Sequence, residues 1–408
     1  MMLRFRLLLL LHDKSFSISR RFSVNDFTLR THTCGELRVG HENQKVTLYG
    51  WLQFNRLNRF LILRDSYGCV QARIPEERKD LVERIKMINC ESALKIEGVV
   101  VDRGEQYRNE NMRTGDVEVL VNNLELLSAS PPYYPLNELT STEETKLRYR
   151  FLYLRTKRMQ RALRLRANVV HGIRKYLIEK ANFVEVETPT LFRRTPGGSN
   201  EFIIPAPKPN CGKFYSLPQS PQQFKQLLMC GGIDRYFQIA RCYRDEGAKS
   251  DRQPEFTQVD VELSFTDQDN VMKLIENIIV ESWPKELDDL KPSAPFKRMK
   301  YLKANRLFGT DKPDLRIPWS IKDCTSDFPF LHKREIPNFA VKVFIARGAE
   351  SVVNEQNLKK WTQILRDSAL LRDFKLLKAS EKNWFMEIRN DVLIEKFEIK
   401  EKDVAVIS

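Results

Sequence analysis

Between Leu217 and Phe265 the chain reads LPQSPQQFKQLLMCGGIDRYFQIARCYRDEGAKSDRQPEFTQVDVELSF, and its polar residues are spaced as chemistry would require. DRYFQIARCYRDE and EFTQVDVELSF are strand-like, and the polar loop GAKSDRQP between them predicts an antiparallel hairpin with a long tip. Side chains alternate along a strand, so Thr257, Val259, Val261, Leu263 and Phe265 share one face. Phe256, Gln258, Asp260 and Glu262 share the other. The first face is expected to pack wholly on a core. The second carries two carboxylates and an amide, with Arg244, Asp245 and Glu246 where the first strand meets the loop. Unpaired ions in a covered cleft are costly, so a charged ligand would complete such a face. Arg244 suits a phosphate held at two points, Asp260 or Glu262 an ammonium, and Phe256 a stacked base. A solvent-exposed polar sheet face with surface ion pairs stands as the other reading, and residue types alone leave both open.

Other elements must position that hairpin. From Val46 to about Ser128 the chain alternates or runs apolar in five short stretches: VTLYGWLQF, RFLILRD, CVQARI, ALKIEGVVV and VEVLVNNLELL. Lys79 to Asn89 is the one helical piece among them, and five strands with one helix fit an OB-type barrel. SASPPYYPLNELTSTEETK reads as an interdomain linker. Leu147, Phe151, Leu154, Ala162, Leu165, Val169, Ile173 and Leu177 then recur at helical spacing, with arginines and lysines on a solvated face. That helix is expected to end near Asn182, before a strand in FVEVETP closed at Pro189.

The whole chain has 408 residues, 42% hydrophobic and 30% charged, a globular balance with room for two or three domains. No apolar run approaches the roughly 18–20 residues of a bilayer span, so no membrane-embedded fold is expected. A net charge of +14 favours a polyanionic partner, nucleic acid first. The seven cysteines include no C-x-x-C and the five histidines no H-x-x-x-H, which argues for small buried residues in a reducing compartment rather than zinc or disulfides. Residues 1–30 are Arg-rich, Ser-containing and acid-poor, the composition of a mitochondrial transit peptide, with Arg20-Arg21-Phe22-Ser23 resembling a matrix-protease processing site. This stretch is expected to stand outside the fold, and the location expected is the mitochondrial matrix.

RDEGAKSDRQPEFTQVDVE resembles motif 2 of class II aminoacyl-tRNA synthetases, in the aspartate-specific bacterial and organellar form. FVEVETPTLFRRTPGGSNEF resembles motif 1, LPQSPQQFKQLLM the amino-acid-binding segment, and GTDKPDLR (Gly309 to Arg316) a block that follows motif 2. YGWLQFNRLNRFLILRDSYGCVQ resembles the anticodon-binding OB domain. The fold implied is α+β multidomain: a barrel over 31–128, a hinge over 129–145, a class II antiparallel sheet with flanking helices over 146–316, and part of an inserted α/β domain over 317–408. The resemblance implies ATP-dependent activation of L-aspartate to aspartyl-adenylate, then transfer to the 3′ end of tRNA(Asp), in a homodimer assisted by Mg²⁺. It places Ser220, Gln222, Lys225, Arg244 and Asp260 on aspartate, with Lys225 meeting the side-chain carboxylate and Asp260 nearest the ammonium. Arg244, Asp245, Glu246, Gln253 and Phe256 fall to ATP, Arg244 as the catalytic residue on its α-phosphate and Phe256 as the stacking ring. Phe60 and Gln71 match positions that stack on and read anticodon bases.

The chain departs from that pattern in three places. The loop between Trp51 and Phe60 is about three residues shorter, with its arginines thinned to Arg56 and Arg59, which implies a weaker grip on the anticodon stem. TPGGSNEF has Gly197 where bacterial relatives carry a glutamate that senses the amino acid, which implies looser discrimination. After Phe265 the only glycines are Gly309 and Gly348, so the glycine-rich motif 3 ending in an arginine is not found. Residues from about Pro318 fit the insert: VKVFIARG as a strand, NLKKWTQILRDSALLR as an amphipathic helix, KNWFMEIR as a strand and EKDVAVIS as strand-like. The expectation is a ligase cut inside its insert, or alternatively a non-catalytic tRNA-binding or dimer-forming derivative.

Overall fold

The computed structural model describes residues 22–133, 140–247, 252–328, 340–367, 375–380 and 396–407. Strands β1 (Lys45–Arg56), β2 (Phe60–Arg64), β3 (Cys69–Arg73), β4 (Ala93–Asp102) and β5 (Val117–Ser128) close in the order β1-β2-β3-β5-β4. β3 and β5 run parallel and the other pairs antiparallel, and α1 (Lys79–Lys86) lies between β3 and β4 in sequence, as an OB fold requires. Period-two alternation builds the interior: Leu48 and Leu52, Leu61 and Leu63, Val70 and Ala72, Leu94 and Ile96, and Val119 and Val121 are all buried. Leu81 and Ile85 of α1 join that core.

The stretch expected outside the fold reaches into it. Residues 1–21 lie outside the described residues, but Asn25 Nδ2 donates to Glu36 Oε1 at 2.8 Å and the Arg30 guanidinium lies 5.1 Å from the centre of the Tyr67 ring. Residues 134–139 of the expected hinge also fall outside the description, while its start is pinned to the barrel by Ser130 N–H donating to Ser92 Oγ at 2.9 Å.

The single helix expected after the linker is three: α2 (Glu143–Arg148), α3 (Arg150–Tyr153) and α4 (Lys157–Lys175), the last continuing as a π turn over Tyr176–Lys180. Tyr149 leaves helical geometry (φ −103°, ψ 47°), and the Thr156 hydroxyl accepts from Met159 N–H, which starts α4 afresh. Register shifts accordingly. Leu147 and Phe151, expected inside, are 60% and 62% exposed, and Leu152 and Tyr153 are buried instead.

β6 (Val184–Glu185) pairs parallel with β9, and β7 (Ile203–Pro205) and β8 (Phe214–Ser216) form a small antiparallel pair. α5 (Gln222–Cys230) precedes the hairpin of β9 (Arg235–Tyr243) and β10 (Glu255–Leu263), which is antiparallel as expected, with Phe256 opposite Cys242 and Asp260 opposite Gln238. α6 (Gln268–Glu281), capped by the Asp267 carboxylate, supplies Ile278 to a core with Leu177, Phe183 and Phe237. Only half of the apolar face of β10 is covered: Val261 and Leu263 pack on that core, whereas Val259 is 40% exposed and Phe265, at φ 54°, leaves the strand altogether.

Chain contacts divide the protein at Lys291/Pro292. The second unit therefore takes in residues 292–316, which sequence assigns to the catalytic segment. It holds α7 (Tyr301–Phe308), β11 (Lys322–Asp323), β12 (Lys342–Ala346), α8 (Glu355–Asp367), β13 (Lys375–Lys378) and β14 (Val404–Ile407). The strands form an antiparallel sheet in the order β11-β12-β14-β13 over Phe328, Val343, Ile345, Leu377 and Ala405. The buried Asp403 accepts from Arg347 at 2.7 Å and from Gly348 N–H at 2.9 Å. KNWFMEIR lies outside the described residues.

The barrel loop 65–68 is held by main-chain contact. Asp65 accepts from the N–H groups of Cys34, Tyr67 and Gly68, and a Cβ on Gly35 would stand 2.1 Å from Tyr67 O. Gly35→Ala is expected to destabilise the protein by about 1–3 kcal/mol in denaturant unfolding, because backbone must move to admit the methyl. An unchanged midpoint would show that the loop yields freely.

Candidate functional site

The polar face of β10 is covered from one side by α5. Lys225 reaches Asp260 Oδ1 at 2.7 Å and Glu262 Oε2 at 3.2 Å, with both Lys225 and Asp260 buried. α5 is set for this by Pro221, whose carbonyl accepts from Lys225 N–H, and by the Phe192 and Phe224 rings meeting at 4.7 Å. Burial opposes the charged amine, but the hydrogen bonds and charges of Asp260 and Glu262 outweigh it and raise the lysine pKa. An ammonium has three N–H bonds, so two carboxylates leave it one more to give. Beside it, Asp260 Oδ2 is buried without a hydrogen-bond partner, and so is Nε of Arg244. A carboxylate oxygen and a guanidinium N–H are thus left unsatisfied along one strand face. The exposed, solvated sheet face left open by the sequence is therefore not what forms here.

Arg244 lies 5.3 Å from the centre of the Phe256 ring, so cation and stacking platform are one assembly. Cys242 lies opposite Phe256, donates to Gln258 Oε1 at 3.1 Å and has its thiol pushed up to about 11 by burial and then by the Asp260 charge. Tyr236, also raised by burial and by Asp260, donates to Gln238. Neither is a nucleophile in this setting.

Segment 195–201 closes against the site, and Gln219, Ser199 and Glu201, which sequence reading passed over, hold it there. Gln219 Oε1 accepts from Ser199 N–H at 2.7 Å, and its Nε2 donates to Gly197 O at 3.2 Å and to Glu201 Oε1 at 3.0 Å. Gly198 sits at φ +81°, and a Cβ there would lie 2.3 Å from Gln219 Oε1. Ser199 Oγ donates to Glu246, and Asp245 N–H donates to Asn200 O at 2.9 Å. Glu201 also accepts from Ser216 Oγ and Thr195 N–H. Burial would push that carboxyl up, but these hydrogen bonds prevail and lower its pKa below 4.5. The glycines of TPGGSNEF were the visible signal; the glutamine that fixes them is 22 residues away from Gly197 and has no local pattern.

Of the other expected site residues, Ser220 is half-buried just before α5, and Gln222 is exposed one turn ahead of Lys225. Glu246 takes a second contact from Arg252 at 3.7 Å, and Gln253 is exposed in the hairpin tip, whose residues 248–251 lie outside the description. Among the described residues no group of three His, Cys, Asp or Glu could hold a metal ion. Asp260 and Glu262 are instead engaged by Lys225, so no residue is assigned to Mg²⁺.

On the barrel, Phe60 and Gln71 point away from the core, since Leu61, Leu63, Val70 and Ala72 face it. The Arg56 guanidinium lies 5.4 Å from the Phe60 ring centre. The buried Glu118 accepts from Gln71 Nε2 at 2.8 Å and from Arg73, which is directly across the ladder from Phe60. Arg73 thereby belongs with the two residues expected there.

A barrel with an aromatic and an amide on its outer wall, followed by a class II-type hairpin bearing an unsatisfied arginine, defines the class. The family described as tRNA synthetases class II (D, K and N) matches residues 142–400, and the chain belongs to it. It is 42% identical over 404 residues to the mitochondrial aspartate–tRNA ligase of Bos taurus, covering 94% of this chain and 61% of that protein. It is also 40% identical over 400 residues to the aspartate–tRNA(Asp/Asn) ligase of Thermotoga neapolitana, covering 93% of this chain and 67% of that protein. Among solved structures, asparaginyl-tRNA synthetase from Pyrococcus horikoshii complexed with asparaginyl-adenylate aligns with a TM-score of 0.55 at 25% identity, over 62% of this chain and 57% of that one. The chain spans about 61% of the length of the bovine relative.

Two outcomes follow. Lys225→Met strands Asp260 and Glu262 side by side and is expected to cost about 2–4 kcal/mol of stability in denaturant unfolding; no loss would mean that the triad is solvated. Glu201 has a lowered pKa in the folded state, so its contribution is present above 4.5 and is lost as pH falls through the lower folded value. Protection of 195–201 amides from hydrogen exchange, relative to their intrinsic rates, should therefore fall below pH 4.5 in the wild type and show no such step in Glu201→Gln. An identical acid step in the variant would assign it to another group.

Proposed function

We propose that the protein is the aspartate-activating, tRNA-reading part of an aspartate–tRNA ligase that works in mitochondria. The observation that carries this reading is the set formed by Lys225, with one N–H left to give, the unsatisfied Oδ2 of Asp260 and the unsatisfied Nε of Arg244. L-Aspartate is complementary to that set: its side-chain carboxylate meets Lys225, its ammonium meets Asp260, and Gln222 and Ser220 border the amino acid. Arg244 then faces the α-carboxylate and the α-phosphate of ATP, while the Phe256 ring carries the adenine and Asp245, Glu246 and Gln253 complete the nucleotide side. The α-carboxylate oxygen attacks the α-phosphorus in line, an acyl–phosphate bond forms, and the bond to pyrophosphate breaks. The 3′-terminal adenosine of tRNA(Asp) next takes the aspartyl group and releases AMP. The chain's contribution is alignment and charge neutralisation; Mg²⁺ arriving with the ATP would supply further neutralisation.

The barrel would present Phe60 to stack on an anticodon base, with Gln71 and Arg73 beside it. The relatives named above are ligases, one of them mitochondrial, which supports catalysis over a purely structural derivative. A second copy of the chain is the occupant proposed for the groove of about 570 Å³ beside α4, bordered by Leu163, Val170 and Ile239 and also by Arg166, Arg174 and Arg241. α4 has 19 residues and no buried side chain, and a helix of that kind gains its stability from a packed face.

Calorimetry with a non-hydrolysable aspartyl-adenylate mimic, the sulfamoyl adenosine ester analogue, tests the active site. The wild-type chain should bind it, and Arg244→Ala should lose roughly 10- to 100-fold, as one charge-assisted contact is worth. Anticodon stem-loop binding should be untouched by Arg244→Ala but weakened by about 1–3 kcal/mol in Phe60→Ala. Mimic binding that ignores Arg244 would remove the phosphate role assigned to it.

A further inference from the structure

Arg155 and Arg164 contact the barrel from the α3–α4 segment, and nothing in the chemistry above uses them. Arg155 Nη1 lies 3.2 Å from Glu91 Oε2, and its guanidinium is 4.7 Å from the centre of the Trp51 ring. Glu91 is already gripped by Arg64, whose Nη2 reaches both carboxylate oxygens at 2.8 and 2.7 Å. Its side chain is 8% exposed, so this is a covered three-member ion network rather than a surface pair. Glu91 also holds φ +67°, a left-handed conformation that costs a non-glycine residue about 1–2 kcal/mol. That cost is met only where the side chain is needed in that place.

Nine residues further on, Arg164 lies 4.5 Å from the centre of the Tyr67 ring, and Arg30 approaches the same ring at 5.1 Å. Tyr67 belongs to the loop fixed by Asp65 and by the Gly35–Gly68 backbone contact, so the ring is held on its own side before any arginine meets it. Arg164 lies on α4 itself and Arg155 just ahead of its Thr156 cap, so the two attachments grip the barrel at separate points. One such contact allows the barrel to swivel; two do not.

We propose that Arg155 and Arg164 are positioning residues: a two-point clamp that fixes the barrel against α4, so that one tRNA is held at its anticodon and at its acceptor end together. The inference rests on the tRNA reading above. Neither arginine belongs to the active site or to the Phe60 face. Whole tRNA(Asp) must satisfy both ends, whereas an isolated anticodon stem-loop needs the barrel alone. Loss of the clamp should therefore weaken the first and spare the second.

The test measures both RNAs by fluorescence anisotropy on the 408-residue chain, on Arg155→Ala/Arg164→Ala, on Tyr67→Ala and on Tyr67→Phe, with small-angle scattering on each protein. The double variant is expected to lose about five- to tenfold for whole tRNA, the worth of one or two cation–π contacts, with unchanged stem-loop affinity and a larger radius of gyration. Tyr67→Ala should fall partway, and Tyr67→Phe should behave as wild type, because the phenyl ring keeps the π face. Equal losses for both RNAs would make the arginines part of the barrel's fold and overturn the clamp. Unchanged scattering or unchanged whole-tRNA affinity would overturn it as well. A wild-type chain that binds neither RNA would overturn the tRNA reading and the clamp with it, an outcome visible before any variant is compared.

Discussion

A lysine shared by two carboxylates organises the proposed active site of this protein. Lys225 comes from a helix and Asp260 and Glu262 from a strand, so the triad forms only when α5 is seated across β10. Buried ion pairs of this kind contribute little net stability, because desolvation offsets most of the attraction. What they supply is selectivity of arrangement. Two negative charges against one positive leave the site short of a cation, and Asp260 Oδ2 and Arg244 Nε are left unsatisfied around it. A zwitterion carrying an extra carboxylate, delivered beside a triphosphate, answers each of those needs.

The surrounding architecture keeps that arrangement in register. Arg244 N–H donates to Pro254 O within the hairpin, and Tyr243 N–H donates to Pro218 O, which ties the end of the hairpin to the segment leading into α5. Segment 195–201 is bound to Gln219 on one side and to Asp245 and Glu246 on the other. Gln219 and the Asp245–Glu246 pair, on two sides of the proposed site, therefore share one loop, and a change at either is felt at the other.

Much of this was legible in the sequence because one local periodicity, the alternation of strands, carries it. Alternation in RFLILRD and CVQARI fixes which residues of those strands face inward, whereas Phe60 and Gln71 were marked through the resemblance. The same alternation in EFTQVDVEL puts Asp260 and Glu262 on one face. Helical periodicity was a poorer guide between Leu147 and Leu177, where a threonine cap at Thr156 restarts the helix and moves the buried positions to Leu152 and Tyr153. Contacts between distant segments left no local trace: Gln219 with Gly197, Arg155 with Glu91, and Arg164 with Tyr67 each join residues with no shared pattern. Asn25 and Arg30 packed on the barrel for the same reason, although their composition resembles a leader.

In the proposed function, the charge of Lys225 selects a second carboxylate on the amino acid. Titrating L-aspartate and L-asparagine separately into the wild-type chain and into Lys225→Met, with folding of each verified by circular dichroism, tests it most directly. The expected result is aspartate favoured by roughly 30-fold or more in the wild type, as a charge-assisted contact allows, and a ratio near one in the variant. Equal binding of the two amino acids by the wild type, or a preference that survives the loss of the amine, would contradict it.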